Sequence, residues 1–155
     1  MSVRVTNASF AKQLKKEHAY IHEIIKKIEK RVAMIGPQRP ALEWGSSLLE
    51  NLSSLREHLE KHFEFEEMGG FMEEVMKALP NVSPQVESLR RDHQILAFEI
   101  NDLYKRAETL ILDNGPTSRE MGEDIKHFLH SLGEHERKEN ELILHVFLDD
   151  VGMID

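Results

Sequence analysis

Apolar residues recur along this chain at three- and four-residue intervals. From about Ser9 to Ile35 they fall at Phe10, Leu14, Ile21, Ile24, Ile25, Ile28 and Val32, with Lys and Glu between them. That spacing predicts an amphipathic helix, with Ser9 as its N-cap. A second run, from Ala41 to about Met68, places Leu48, Leu49, Leu52, Leu55, Leu59 and Phe63 on one stripe. Gly69-Gly70 then predicts a break before a short amphipathic tail to Leu79. A third helix is expected from Ser83 to about Leu112, and a fourth from Thr117 or Ser118 to roughly Phe147 or Leu148. No strand-like alternation of any length is present.

The connections carry their own signals. Gly36-Pro37-Gln38-Arg39-Pro40 ends the first helix, because a proline inside a helix loses a hydrogen bond and clashes with the preceding turn. Pro80-Asn81-Val82-Ser83-Pro84 supplies the next turn, with Ser83 as the expected N-cap and Pro84 at the first helical position. Asp113-Asn114-Gly115-Pro116 makes another. Four long helices with short connections pack most simply as an all-α, antiparallel up-down four-helix bundle, and 155 residues suit a single domain over 1–155.

Composition narrows the chemistry. A net charge of -8 argues against nucleic acid, whose binders need clustered cationic side chains. The absence of cysteine removes disulfides, thiolate nucleophiles and iron–sulfur clusters, so any metal must use nitrogen and oxygen donors. No stretch approaches the roughly 20 apolar residues that span a bilayer, and Met1 to Phe10 do not read as a secretory leader. A cytoplasmic location, with no membrane partner, is the expectation.

An internal repeat points to a site. LKKEHAYIHEIIKKIEKR from Leu14 aligns without a gap on LRRDHQILAFEINDLYKR from Leu89, which superposes His18 on His93. More weakly, His62-x-x-x-Glu66 matches His135-x-x-x-Glu139, and Leu59 matches Leu132. Two similar helix pairs would bring equivalent residues toward the bundle axis from opposite sides, gathering six ligands in two sets of three. Residues four apart on a helix differ by only about 40° around its axis, so each His and Glu pair faces one way. Two metal ions would each take two imidazoles, and Glu66 and Glu139 would bridge them. Mixed His and carboxylate donors with open positions suit two non-haem iron ions first, manganese second and zinc third.

The motifs EHAYI around His18, HFEFEE from His62, DHQIL around His93 and HERKE from His135 resemble the hemerythrin-like, or HHE cation-binding, family over roughly Phe10 to Leu148. The resemblance implies metal ligands at His18, His62, Glu66, His93, His135 and Glu139, with the glutamates bridging. The oxygen-carrying hemerythrins add a second His one turn along the third helix and use His-x-x-x-x-Asp on the fourth, where this chain has Ala97 and Glu139. Members that repair iron–sulfur proteins are similar in their ligand set but carry an N-terminal region with cysteine.

Residues near the six are read as follows. His22 and His58, one turn from ligands, could each be an extra or alternative ligand or a donor to one; His127, His130 and His145 are expected to point away. Glu67 is expected to face solvent or a neighbouring helix. Glu17 and Asp92 could orient imidazoles, but pairing with basic residues of their own helices is the simpler expectation. Phe63, Phe71, Phe98, Phe128, Leu59 and Leu132 are expected to wall the site, and Tyr20 and Tyr104 to pack. The function expected is a module that binds, senses or scavenges a small ligand such as oxygen, nitric oxide or peroxide. The alternative is a di-iron enzyme or iron-handling protein, and the third reading is a structural bundle with incidental histidines.

Overall fold

A computed structural model describes residues 3–34, 42–68, 70–113 and 118–152, with side chains described over 12–34, 45–68, 72–109 and 119–145. Among these residues there are helices and no strands. The four long helices are α1 (Val3–Ala33), α2 (Leu42–Met68), α4 (Ser83–Asp113) and α5 (Ser118–Gly152), with a short α3 (Phe71–Ala78) between α2 and α4. The Gly36 to Pro40 turn and Asn114 to Pro116 lie outside the described residues.

Cross-helix contacts fix the topology. His18 and Arg31 of α1 meet His62 and Asn51 of α2. Arg56 and Glu67 of α2 meet Asn101 and His93 of α4. Asp92 and Arg106 of α4 meet His135 and Asp124 of α5. Glu136 and Glu139 of α5 return to His22 and His18 of α1. In every pair the numbers run in opposite directions, so the bundle is antiparallel, with consecutive long helices adjacent, as short connections require, and α5 closing back on α1.

The apolar stripes form the interior. Ile21, Ile24, Ile28 and Val32 of α1 pack with Leu48, Leu52, Leu55 and Leu59 of α2, with Leu96, Ile100 and Leu103 of α4, and with Met121, Ile125, Phe128 and Leu132 of α5. Each such side chain contributes about 1.5–3 kcal/mol on removal from water. A second, smaller cluster joins Leu14, Met72, Val75, Val82, Val86, Leu89 and Leu142. Along every long helix the residues of the candidate site lie at the junction between the two clusters.

The expected break is present between Met68 and Phe71, with Gly69 itself outside the described residues. Gly70 has φ 90°, a left-handed conformation that glycine adopts without steric cost, and its carbonyl accepts the first α3 hydrogen bond from Glu74. The reversal lets α3 lay Met72 and Val75 into the smaller cluster. Two expected caps are corrected. Ser9 is inside α1, which starts at Val3. Ser83 is helical at φ -50° and ψ -42°, because the 3-10 turn Pro80–Val82 leads straight into α4 and leaves no extended residue to cap it. The last helix also runs on to Gly152.

Candidate metal centre

Six buried polar side chains lie in one layer of the interior: His18, His62, Glu66, His93, His135 and Glu139. His18 comes from α1, His62 and Glu66 from α2, His93 from α4, and His135 and Glu139 from α5. Their donor atoms fall into two groups. One atom from each of Glu66, His93, His135 and Glu139 lies within 4.8 Å of the others, and so do atoms of His18, His62 and Glu139. The sequence led to two sets of three. Glu139 instead belongs to both groups, because its carboxylate reaches the axis between His135 on one side and His18 and His62 on the other.

The two glutamates are placed between histidines of different helix pairs. Glu66 Oε1 is 2.7 Å from His62 Nε2 and 3.7 Å from His93 Nε2. Glu139 Oε1 is 3.1 Å from His135 Nε2, 3.6 Å from His18 Nε2 and 3.8 Å from His62 Nε2. The Nε2 atoms of His18 and His62 are 3.2 Å apart.

Five of these inward atoms, Glu66 Oε1 and Oε2, His93 Nε2, His135 Nε2 and Glu139 Oε2, are buried without a hydrogen bond, since the close approaches of Glu66 Oε1 to His62 and of His135 Nε2 to Glu139 lack hydrogen-bond geometry. Unpaired buried polar atoms cost one to several kcal/mol each, and native interiors contain few. Five converging on one place, from two carboxylates and two imidazoles, fit a cation, and with His18 and His62 beside them they are the donors that borderline and hard divalent metals take. The chain's own donors therefore suit a metal, with His18, His62, Glu66, His93, His135 and Glu139 the residues that could hold it.

The outer nitrogens are also engaged. His62 Nδ1 is 2.7 Å from Glu17 Oε2, His93 Nδ1 is 2.8 Å from Glu67 Oε2, and His135 Nδ1 is 3.0 Å from Asp92 Oδ2. His18 Nδ1 is 3.5 Å from Glu136 Oε1. The expectation of pairing within their own helices is thus corrected for Glu17 and Asp92, Glu67 faces the neighbouring helix as expected, and Glu136 was missed. Glu17 and Asp92 each precede a histidine but bond to the histidine of the next helix, a partner that only the helix offset decides.

Burial and these partners set the charge states of the protein alone. Burial holds His135 down to about 4, partly opposed by Asp92. Burial likewise lowers His93, against the pull of Glu67. For His62 burial also acts downward, but Glu139 and Glu17 outweigh it and the pKa is raised. Burial acts to raise fully buried Glu139, yet the hydrogen bonds and charge of His18 and His62 keep it low and ionised. A neutral imidazole and an ionised carboxylate are the forms that bind metal.

The remaining candidates lie elsewhere. His22 is 54% exposed and bonds to Glu136 at 2.8 Å, and His58 turns Nδ1 to the Ser54 carbonyl while stacking on Tyr20. His127, His130 and His145 are exposed, as is Ala97, so no side chain from that place reaches the layer. Phe63, Phe128, Leu59 and Leu132 are buried beside it. Phe98 is corrected: it is 73% exposed, because it lies on the outer face of α4. The side chain of Phe71 is outside the described residues. Tyr104 packs under the Arg56 guanidinium, 4.1 Å from its ring centre.

No helix among the described residues is long and apolar enough to cross a membrane. No curated protein and no solved structure matches the chain. A family model described as the hemerythrin HHE cation binding domain matches residues 9–146. With that match taking in most of all four long helices and every residue of the buried His and Glu layer, the chain belongs to the hemerythrin HHE cation-binding domain family.

Proposed function

We propose that this protein holds two non-haem iron ions in the His and Glu layer and uses them to bind, sense or scavenge a small ligand such as oxygen or nitric oxide. The observation that carries the reading is the set of five buried donor atoms that face the bundle axis without a hydrogen bond. His18 and His62 serve one ion, His93 and His135 the other, and Glu66 and Glu139 lie between the pairs. Each ion would receive two imidazoles and a share of two carboxylates, a thiolate-free set that leaves room for further ligands and so favours iron, then manganese, over a closed structural zinc site.

When bound, an iron pair supplies reversible electron transfer and open coordination positions for a small ligand. The chain supplies the rest. Glu139 and Glu66 offset part of the cationic charge, and the imidazoles of His93 and His135 are neutral at physiological pH. Phe63, Leu59, Phe128 and Leu132 keep bulk water from one side of the layer.

The test is metal content and an optical spectrum of protein purified from iron-replete cells. Two irons per chain, with a near-ultraviolet and visible absorption that cycles reversibly when reduced protein meets oxygen or nitric oxide, are expected. Irreversible turnover with peroxide would move the assignment to the enzyme reading. A colourless, metal-free and fully folded preparation would end it.

A further inference from the structure

Each of the four central histidines has its Nδ1 within reach of a carboxylate, and in every case that carboxylate comes from another helix. Glu17 of α1 reaches His62 of α2; Glu67 of α2 reaches His93 of α4; Asp92 of α4 reaches His135 of α5; Glu136 of α5 reaches His18 of α1. Followed in this order the contacts return to the helix they started from. We infer that Glu17, Glu67, Asp92 and Glu136 form a closed ring of positioning residues, which aims Nε2 of all four histidines at the axis and thereby sets metal affinity. This rests on the metal-binding reading above.

The physical reason lies in the imidazole itself, which can present a lone pair from either nitrogen. A carboxylate accepting Nδ1–H fixes the tautomer that leaves the Nε2 lone pair free, fixes the ring plane and raises the donor's basicity. Because the carboxylate stands on the adjacent helix, the same bond also sets how far one helix is displaced along the next. The four acids sit at the rim, with 13% to 36% of each side chain exposed, where water helps to stabilise their charge. Further contacts hold two of them: Gln13 donates to Glu17, and Lys138 donates to Asp92.

The ring is uneven. Glu17 and Asp92 are repeat equivalents, and so are the histidines they hold. Glu67 and Glu136 are not: the place of Glu136 in α2 is taken by Phe63, which stacks on His93 instead of bonding to it. Glu136 also divides its carboxylate between His18, at 3.5 Å, and surface His22, at 2.8 Å. His18 is accordingly the most loosely held corner.

Anaerobic chelator competition with ferrous iron on the full chain tests the ring, with the visible spectrum of the cobalt(II) form as a second readout sensitive to donor geometry. Glu17→Ala, Glu67→Ala and Asp92→Ala are each expected to weaken metal binding by about 10- to 100-fold and to shift the cobalt bands. Glu136→Ala should weaken it least. Glu17→Gln, which keeps an oxygen to accept Nδ1–H, should recover part of the affinity and keep the fold should the alanine variant lose it. Exposed Glu64→Ala is the control and should match the parent. Parent-like affinity and cobalt spectra for the Glu17, Glu67 and Asp92 variants, including Glu17→Gln, would overturn the ring while leaving the metal centre standing. Failure of the parent protein itself to bind metal would instead remove the centre and the ring together.

Discussion

The ring of Phe63 lies against the imidazole of His93, with centroids 4.1 Å apart and planes 15° from parallel. Phe63 also meets His135 edge-on at 5.7 Å, so one aromatic side chain of α2 contacts the paired histidines of α4 and α5. Phe63→Ala is expected to lose about 3–5 kcal/mol of stability through the cavity it leaves. It should also lower metal occupancy on the His93 side. Phe63→Leu should keep most of the stability and lose the stacking. Denaturation midpoints and metal content of the two variants check this. Parent-like occupancy in Phe63→Leu alongside loss in Phe63→Ala would show that packing alone, without the aromatic face, holds His93.

His62→Ala and His135→Ala are each expected to lower metal content and to abolish the gain in thermal midpoint that metal gives the parent protein. A ligand that binds only the folded state adds roughly 2.7 kcal/mol at a hundred times its dissociation constant. Chelator treatment of the parent should therefore bring its midpoint down toward those of the variants. Melting curves with and without ferrous iron provide the comparison, and an unchanged iron stoichiometry in both variants would contradict the assignment.

Without metal, the protein should lose stability as pH falls from about 6.5 to about 4. Burial depresses His135 to about 4 and lowers His93, so between those values the unfolded chain binds more protons than the folded one. Stability then rises with pH across that window and is complete above the ordinary histidine value of 6.5. His62 acts in the opposite sense: its raised pKa contributes below 6.5 and fades as pH climbs through the raised value. Two lowered histidines oppose one raised one, and lowered Asp92 and Glu139 add further loss at the acid end. Urea midpoints of the metal-free protein at pH 4.5, 5.5 and 7 should rise in that order; a flat series would exclude the depressed values.

Two glycines should respond to alanine with opposite signs. Gly70 has φ 90°, where a Cβ is strained although no atom lies within 4 Å, so Gly70→Ala should cost about 1 kcal/mol or more. Gly133 is an exposed residue inside α5 with equally open space, and Gly133→Ala should add roughly 0.5–1 kcal/mol. Chemical denaturation of the pair measures both.

The inward layer was legible because a duplicated pattern repeats it. Chance surface histidines would not recur at His18 and His93, nor at His62 and His135 with a glutamate four residues on. The helices were legible for a similar reason, since Leu48, Leu52, Leu55 and Leu59 all fall on the stripe that is buried. The outer carboxylates were less accessible. Glu17 and Asp92 stand out in the repeat, but their partners lie across an interhelical gap whose offset no local spacing encodes. Glu67 and Glu136 have Asn140 and Phe63 at the corresponding places, so the repeat was silent about them. Phe98 misled because an aromatic at helical spacing resembles core until the rotation of α4 is known.

The polar layer makes the interior two cores in series, joined across a slice that has little hydrophobic cohesion of its own. The long cluster spans all four main helices, while the short one depends on α3 and the 3-10 turn to be closed. Cooperativity between the ends must then pass through the imidazoles and carboxylates, so whatever ties those groups together also decides whether the bundle melts as one body or frays from the α3 end.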